Sequence, residues 1–106
     1  MAFSKSTLYP TADHITAGYA KALSHPARLG ILNKLLHEGP LCVQKIAEGH
    51  PICMETLSDH LKILRETHLI TWEERFPYTF YTLNKTNMKN ALNYLMEFLS
   101  SFQKVE

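Results

Sequence analysis

The sequence predicts a small winged helix-turn-helix domain that is mainly α-helical, in which two helices are followed directly by a short β-hairpin. Residues 43–49 and 54–68 have the pattern of a short helix and a longer one, separated by the tight break HPIC. Residues 69–83 then alternate apolar with polar side chains around a proline, which is typical of a two-stranded hairpin. A helix pair followed by a β-ribbon is a common way to present one helix to the DNA major groove.

Length and composition favour one domain: the chain has 106 residues, 45% hydrophobic and 20% charged. Residues 1–10 are expected to be a flexible arm, and residues 11–106 the single domain. No apolar run approaches the roughly 18 residues of a membrane span, so a cytoplasmic location without membrane contact is expected, with reduced cysteines. The net charge of +1 means that any contact with DNA must come from locally placed Lys and Arg.

The first two helices are delimited by capping and breaking residues. Thr11 is a suitable N-cap for a helix that runs to about Ser24. Pro26 fits the first turn of the second helix, with Ser24 or His25 as its cap, and the Gly-Pro pair at 39–40 ends it. Apolar residues cover most of the circumference of this second helix, so it is predicted to be central in the core; they are Leu29, Ile31, Leu32, Leu35 and Leu36.

The remaining elements follow from hydrophobic periodicity. On the helix over residues 54–68, Leu57, Leu61 and Leu64 fall on one side, with polar residues opposite. The hairpin tip is predicted at residues 76–77. A last helix over residues 86–102 carries an apolar stripe of Met88, Leu92, Leu95, Leu99 and Phe102.

The first and last helices both carry broad apolar faces, which a small winged core cannot fully cover. The economical solution is that they pair with each other and with the same helices of a second copy in a two-fold dimer. A larger monomeric core is the alternative. Such a dimer would present two reading helices about 34 Å apart, one for each half-site of DNA. The expected interface residues are Ile15, Tyr19, Ala22, Leu92, Leu95, Leu99 and Phe102.

The helix over residues 54–68 is the predicted reading helix. Thr56, Ser58 and Lys62 can donate hydrogen bonds to bases or phosphates, and Glu55 and Asp59 can accept from cytosine. The alternative is an ordinary solvated helix face, and the net charge of this helix is indeed acidic. Attraction to phosphates is therefore assigned to other positions as well, namely Lys45, Arg65, Arg75 and Lys85.

The two cysteines raise the question of a metal or redox site. Cys42, Cys53 and His50 are candidate ligands for a soft metal. The helix between the cysteines would span about 10 Å, which is too far for a disulfide and strains joint coordination. Ordinary thiols are therefore the favoured interpretation, and no cofactor is expected. His60, at the margin of the apolar side, is expected to be packed and hydrogen-bonded. No catalytic motif is present, so an enzyme is not predicted.

Three segments in order resemble the ArsR/SmtB family of bacterial winged-helix repressors. They are ALSHPARLGIL from Ala22 to Leu32, LCVQKIA from Leu41 to Ala47, and SDHLKILRETHLI from Ser58 to Ile70. The resemblance covers about residues 12–102. It implies a homodimer that binds operator DNA and releases it when an effector, often a soft metal ion, is bound.

The chain departs from the family pattern at four points. Cys42 is followed by Val43-Gln44 and not by a second cysteine two positions on, and the last helix offers only Glu97 as a carboxylate ligand. These two departures argue against metal sensing. Asp59 stands where relatives commonly have Arg, and Pro77 where the wing usually has Gly, which bears on DNA affinity and wing shape.

The sequence therefore predicts a homodimeric DNA-binding repressor whose effector is unassigned. Two alternatives stay open: a winged module that binds another protein and no DNA, and a repressor that senses metal through Cys42. The salt dependence of DNA binding distinguishes the DNA-binding repressor from the protein-binding module. Titration of the thiols with zinc or arsenite distinguishes it from the metal-sensing repressor.

Overall fold

Five α-helices and three short β-strands make up residues 8–104, the part of the chain that the computed structural model describes. The expected arm falls largely on residues 1–7, which lie outside the described residues. In chain order the elements are α1 (Thr11–Ala22), α2 (Pro26–Glu38), β1 (Leu41–Cys42), α3 (Val43–Ala47), α4 (Met54–Glu66), β2 (Ile70–Arg75), β3 (Tyr78–Leu83) and α5 (Lys85–Ser100), followed by a 3-10 helix over Ser101–Lys104.

The predicted N-cap of the first helix was wrong by one residue. Pro10 is the cap of α1, and its carbonyl accepts hydrogen bonds from the backbone N–H groups of Asp13 and His14 at 3.0 and 3.3 Å. Thr11 is therefore already the first helical residue. The helix also ends at Ala22, two residues before the expected Ser24.

The second helix begins as predicted at Pro26, with His25 as its N-cap. The Nδ1 atom of His25 accepts a hydrogen bond from the backbone N–H of Ala27 at 3.0 Å. Gly39, at φ 79°, follows the last helical residue in the left-handed region that glycine adopts without strain.

The α4 helix ends at Glu66, two residues earlier than predicted, because His68 adopts a left-handed conformation with φ 58°. Two backbone bonds close the helix end: the N–H of Leu69 donates to the carbonyl of Leu64, and that of His68 to the carbonyl of Arg65. This is the Schellman arrangement, built here without glycine. It turns the chain directly from α4 into β2.

The sheet has three antiparallel strands in the order β1-β3-β2, whereas the sequence predicted two. The hairpin itself is as predicted, with Ile70 paired to Leu83 and Arg75 to Tyr78, so that residues 76–77 form its tip. The additional strand is only two residues long, and Leu41 and Cys42 pair with Tyr81 and Phe80. A strand this short leaves no period-2 pattern from which it could be predicted.

One hydrophobic core lies between α2, α4 and the sheet. Ile31, Leu57, Leu64 and Leu69 are completely buried in it. The prediction that α2 is central is correct for the side of Ile31, Leu32 and Leu35 but not for its whole circumference, because Leu29 and Leu36 remain 44% and 54% exposed. Among residues 8–104, no helix has both the length and the apolar character needed to cross a membrane.

A chain of polar contacts joins α1, α5 and the end of α4. The hydroxyl of Tyr19 donates to Oδ1 of Asn87 at 3.0 Å, and Nδ2 of Asn87 donates to the backbone carbonyl of Thr67 at 2.8 Å. Asn84 caps α5 by accepting from the N–H of Asn87. The helix pair α1–α5 is thereby tied to the end of α4.

Candidate nucleic-acid interface

The α4 helix has one fully packed side and one fully open side. Leu57, Leu61 and Leu64 anchor it to the core. The predicted contact residues at 55, 56, 58, 59 and 62 are all exposed. Because the packed side fixes the helix in place, its polar side is held outward in one orientation, as a helix that enters a DNA groove requires.

The first turn of α4 carries a thiol and a hydroxyl in contact. The Sγ atom of Cys53, the N-cap residue, lies 3.2 Å from Oγ1 of Thr56. This hydrogen bond lowers the pKa of the exposed Cys53 thiol below its ordinary value. Thr56, predicted to contact DNA, is thus partly engaged by a neighbour within its own helix.

An open groove runs along α4 toward the beginning of β2. It brings together four of the predicted residues, Ser58, Asp59, Lys62 and Arg65, and adds three that the prediction missed: Glu66, His68 and Trp72. The other three predicted cations lie outside this groove: Lys45 on α3, Arg75 at the end of β2 and Lys85 at the start of α5.

Trp72 is the only tryptophan of the chain, and its contact with Arg65 could not be predicted from local sequence. The guanidinium carbon of Arg65 lies 3.8 Å from the centroid of the indole ring, which is within the range of a cation–π contact. The two residues belong to different elements, so only the geometry of the α4–β2 junction brings them together. The alternation along β2 puts Trp72 on the same face as the buried Ile70, so the sequence carried no signal of its exposure either.

The predicted cations fall into two groups by their partners. Lys45 pairs with Glu48 at 3.4 Å and Arg75 with Glu73 at 3.1 Å, both on the surface. Within residues 8–104, no ion pair involves Lys62, Arg65 or Lys85. Since an internal carboxylate competes with phosphate for a cation, the residues of the α4 groove are the better placed for an anion.

Arg28, which the sequence prediction did not single out, lies buried between α1, α2 and α4. Its guanidinium donates to the carbonyls of Ala22 and Lys21 at 2.8 and 2.9 Å, at the end of α1. A third N–H donates to Nδ1 of His60 on α4 at 2.9 Å. Arg28 thus satisfies helix-end carbonyls of α1 and holds α4 through His60 at the same time.

The structure bears out the expectation that His60 is a packed, hydrogen-bonded residue. Its ring lies 4.4 Å from that of His25. Because Arg28 can only donate, Nδ1 of His60 must accept, which requires the neutral ring with its proton on Nε2. Burial, followed by the proximity of His25 and Arg28, lowers the pKa of His60 below its ordinary value.

The three candidate metal ligands occupy separate surroundings. Cys42 is half-buried on β1, Cys53 contacts Thr56, and the ring of His50 packs against Gly30, where a Cβ atom would meet it at 3.0 Å. Over residues 8–104 there is no group of three or more His, Cys, Asp or Glu side chains placed to hold one metal ion.

A second, apolar groove lies between α1 and α5 and is lined mainly by Ala17, Ala20, Leu95, Phe98 and Leu99. Of the predicted interface residues, Leu92, Leu99 and Phe102 are more than half exposed, and Ile15, Tyr19 and Leu95 are partly so. Ala22 must be removed from that set, because it is completely buried within its own chain and offers no surface to a partner.

The fold and the outward-facing helix define the class of winged helix-turn-helix regulators of transcription. The family model described as "Bacterial regulatory protein, arsR family" matches residues 25–71. The transcriptional repressor SdpR of Bacillus subtilis is 32% identical over 80 residues, which are 76% of this chain and 88% of that protein. The arsenical resistance operon repressor of the same organism is 36% identical over 69% of this chain and 70% of that protein.

The solved structure of the transcriptional repressor BigR from Xylella fastidiosa is also similar, with a TM-score of 0.64 and 27% identity over 91% of this chain and 96% of that one. The protein belongs to the ArsR family, whose members are transcriptional regulators and not enzymes. The curated relatives just named are transcriptional repressors.

Proposed function

We propose that this protein is a repressor that binds operator DNA as a homodimer, with α4 as the reading helix. The observation that carries the proposal is the exposed polar side of α4, held outward by the buried leucines on its other side. Ser58 and Lys62 lie one turn apart on that side and can donate to base edges or phosphates.

Dimer formation through α1 and α5 is the second part of the proposal. The groove between these helices is apolar, and the adjoining surface exposes Leu92, Met96 and Leu99 of α5 and Phe102 of the 3-10 helix by more than half. A contiguous apolar patch of this kind on a small domain favours contact with another protein surface. A second copy is the simplest occupant, since a two-fold dimer would bury the apolar patch of each chain against the other. The same dimer would direct two α4 helices toward one duplex.

The test is a binding titration with the DNA directly upstream of the protein's own coding sequence. We expect log affinity to fall linearly with log salt concentration, because basic side chains release counterions from DNA. The double variant Ser58→Ala/Lys62→Ala should lose the complex but remain folded and dimeric. Lys89→Ala, which removes an exposed lysine of α5, is the matched control and should bind normally.

Two results would contradict the proposal. Normal binding by the double variant would mean that α4 does not read the DNA. Absence of any complex at low salt, with that fragment and with unrelated duplexes, would favour the protein-binding alternative, to which the carboxylates of Glu55, Asp59 and Glu66 on α4 give some support.

A further inference from the structure

The contact between Arg65 and Trp72 has properties that simple packing does not require. Trp72 remains 48% exposed although it shares a sheet face with the buried Ile70. Arg65 lies over its ring at 3.8 Å. The Nε atom of Arg65 is buried and, within the described part of the chain, has no hydrogen-bond partner.

The stack fixes a charged group while leaving its hydrogen-bonding capacity unused. A guanidinium group on an aromatic face gains cation–π stabilisation and loses rotamer freedom before any ligand arrives. Asp59 and Glu66 line the same groove, yet neither forms an ion pair with Arg65 in residues 8–104. A planar fork of N–H donors held in this way suits an anion with two oxygens, such as a phosphodiester group.

The position of Arg65 along α4 matches the dimensions of DNA. Arg65 lies seven residues beyond Ser58, which corresponds to about 10 Å along a helix axis. The major groove is about 12 Å wide, so a helix with Ser58 at the base edges brings Arg65 to the rim of the groove, where phosphates lie. The strand β2 begins at the same end of α4, which places Trp72 behind Arg65.

We propose that Arg65 and Trp72 together form a preorganised anchor for one DNA phosphate at the junction of the reading helix and the wing. Arg65 contacts the phosphate, and Trp72 is a positioning residue that holds the guanidinium plane. The inference rests on the proposed function, because it requires a duplex on α4. Beyond the proposed function, the inference adds Trp72 as a residue that acts through Arg65. It also identifies a DNA phosphate as the ligand at this end of the groove.

The test is a double-mutant cycle measured by anisotropy of a labelled duplex carrying the upstream sequence. Arg65→Ala should weaken binding about tenfold or more, because a charge-assisted contact is lost, and should reduce the slope of log affinity against log salt by about 0.9. Trp72→Leu should weaken binding about two- to fivefold, and Trp72→Phe should restore most of the affinity because phenylalanine keeps an aromatic face.

The decisive comparison is the effect of Trp72→Leu in the Arg65→Ala background, where we expect no further loss. The single tryptophan gives an independent signal: its emission should change when DNA is added to the wild-type protein, and change less with Arg65→Ala. Thermal unfolding of every variant, with Lys89→Ala as the control for a lost surface charge, shows whether each is folded under the binding conditions.

Each outcome of the cycle has one meaning. An equal loss from Trp72→Leu in both backgrounds would overturn the positioning role, and an unchanged salt slope with Arg65→Ala would overturn the phosphate contact. If the variants bind as the wild type does, the anchor is wrong while the proposed function stands. If the wild-type protein binds no duplex, the proposed function itself has failed.

Discussion

The two ends of this small domain expose opposite kinds of surface. Along α1, α5 and the 3-10 helix that follows, the exposed positions include large apolar side chains such as Leu99 and Phe102. Along α4 and the start of β2, the exposed positions are polar or charged apart from Met54, and the one large aromatic residue, Trp72, lies against the guanidinium of Arg65. The difference teaches that one chain of 106 residues can present two chemically different surfaces if each helix buries only one side in a shared core.

The two ends are joined by few polar contacts, of which Arg28 makes the most. It binds the end of α1 on one side and His60 of α4 on the other. A substitution can therefore alter one surface alone, or the Arg28–His60 connection between the two surfaces.

The largest effect is expected from placing a charge on the apolar end. Leu99→Asp should raise the dimer dissociation constant about a hundredfold or more, since burial of a leucine contributes roughly 1.5–3 kcal/mol and a two-fold interface counts it twice. Analytical ultracentrifugation measures this change. Leu36→Asp, at an exposed leucine outside the α1–α5 groove, is the control and should leave the dimer intact. If both variants dissociate equally, or if neither variant dissociates, the assigned interface is wrong.

A smaller but substantial effect is expected from breaking the connection. Arg28→Ala should lower the free energy of unfolding by about 2–4 kcal/mol, because it leaves the buried carbonyl of Ala22 and Nδ1 of His60 without their donor. Urea denaturation measures the loss. Arg75→Ala, which removes an exposed arginine with a surface ion pair, should cost less than about 0.5 kcal/mol. Similar losses for the two variants would mean that Arg28 is not a structural link.

The smallest effect is expected from acid. Since the pKa of His60 is lowered on folding, the unfolded chain binds the proton more readily, and stability should fall as pH drops below the ordinary histidine value of about 6.5. The groups facing His60 are Arg28, His25, His50 and Asp59, and only the last favours the charged ring. Above about pH 7 this contribution is fully present.

The variant His60→Gln isolates that effect. A glutamine oxygen can accept from Arg28 but does not titrate, so the difference between its pH profile and that of the wild type reports His60 alone. Denaturant midpoints at about pH 7.5 and about pH 5.5 are sufficient for the comparison. Parallel profiles for the two proteins would show that protonation of His60 has no influence on stability.

Most of the fold could be predicted because its signals are local. The cap at His25, the break at Gly39 and the alternation along β2 and β3 are short-range features, and the helix boundaries were within two residues of the expected ones. The strand β1 and the burial of Ala22 depend on partners far along the chain, which no local pattern records. The left-handed conformation of His68, which ends α4, could not be predicted either, because such a position is usually occupied by glycine.

The candidate site was predicted less completely than the fold. Periodicity identified the outward side of α4 and therefore Ser58, Asp59 and Lys62. It could not identify the stack of Trp72 on Arg65 or the buried role of Arg28, since both depend on how separate elements meet. It also could not distinguish Arg75, which has an internal carboxylate, from Arg65, which in the described part of the chain has none.

The amide of Asn87 has a mechanical consequence. One of its atoms is held by Tyr19, and another holds the carbonyl of Thr67, directly after the last residue of α4. If α5 slides against α1, this side chain must either lose its hydrogen bond with Tyr19 or displace the end of α4. Any change in the spacing of those two helices would therefore be transmitted to the end of α4 through a single side chain.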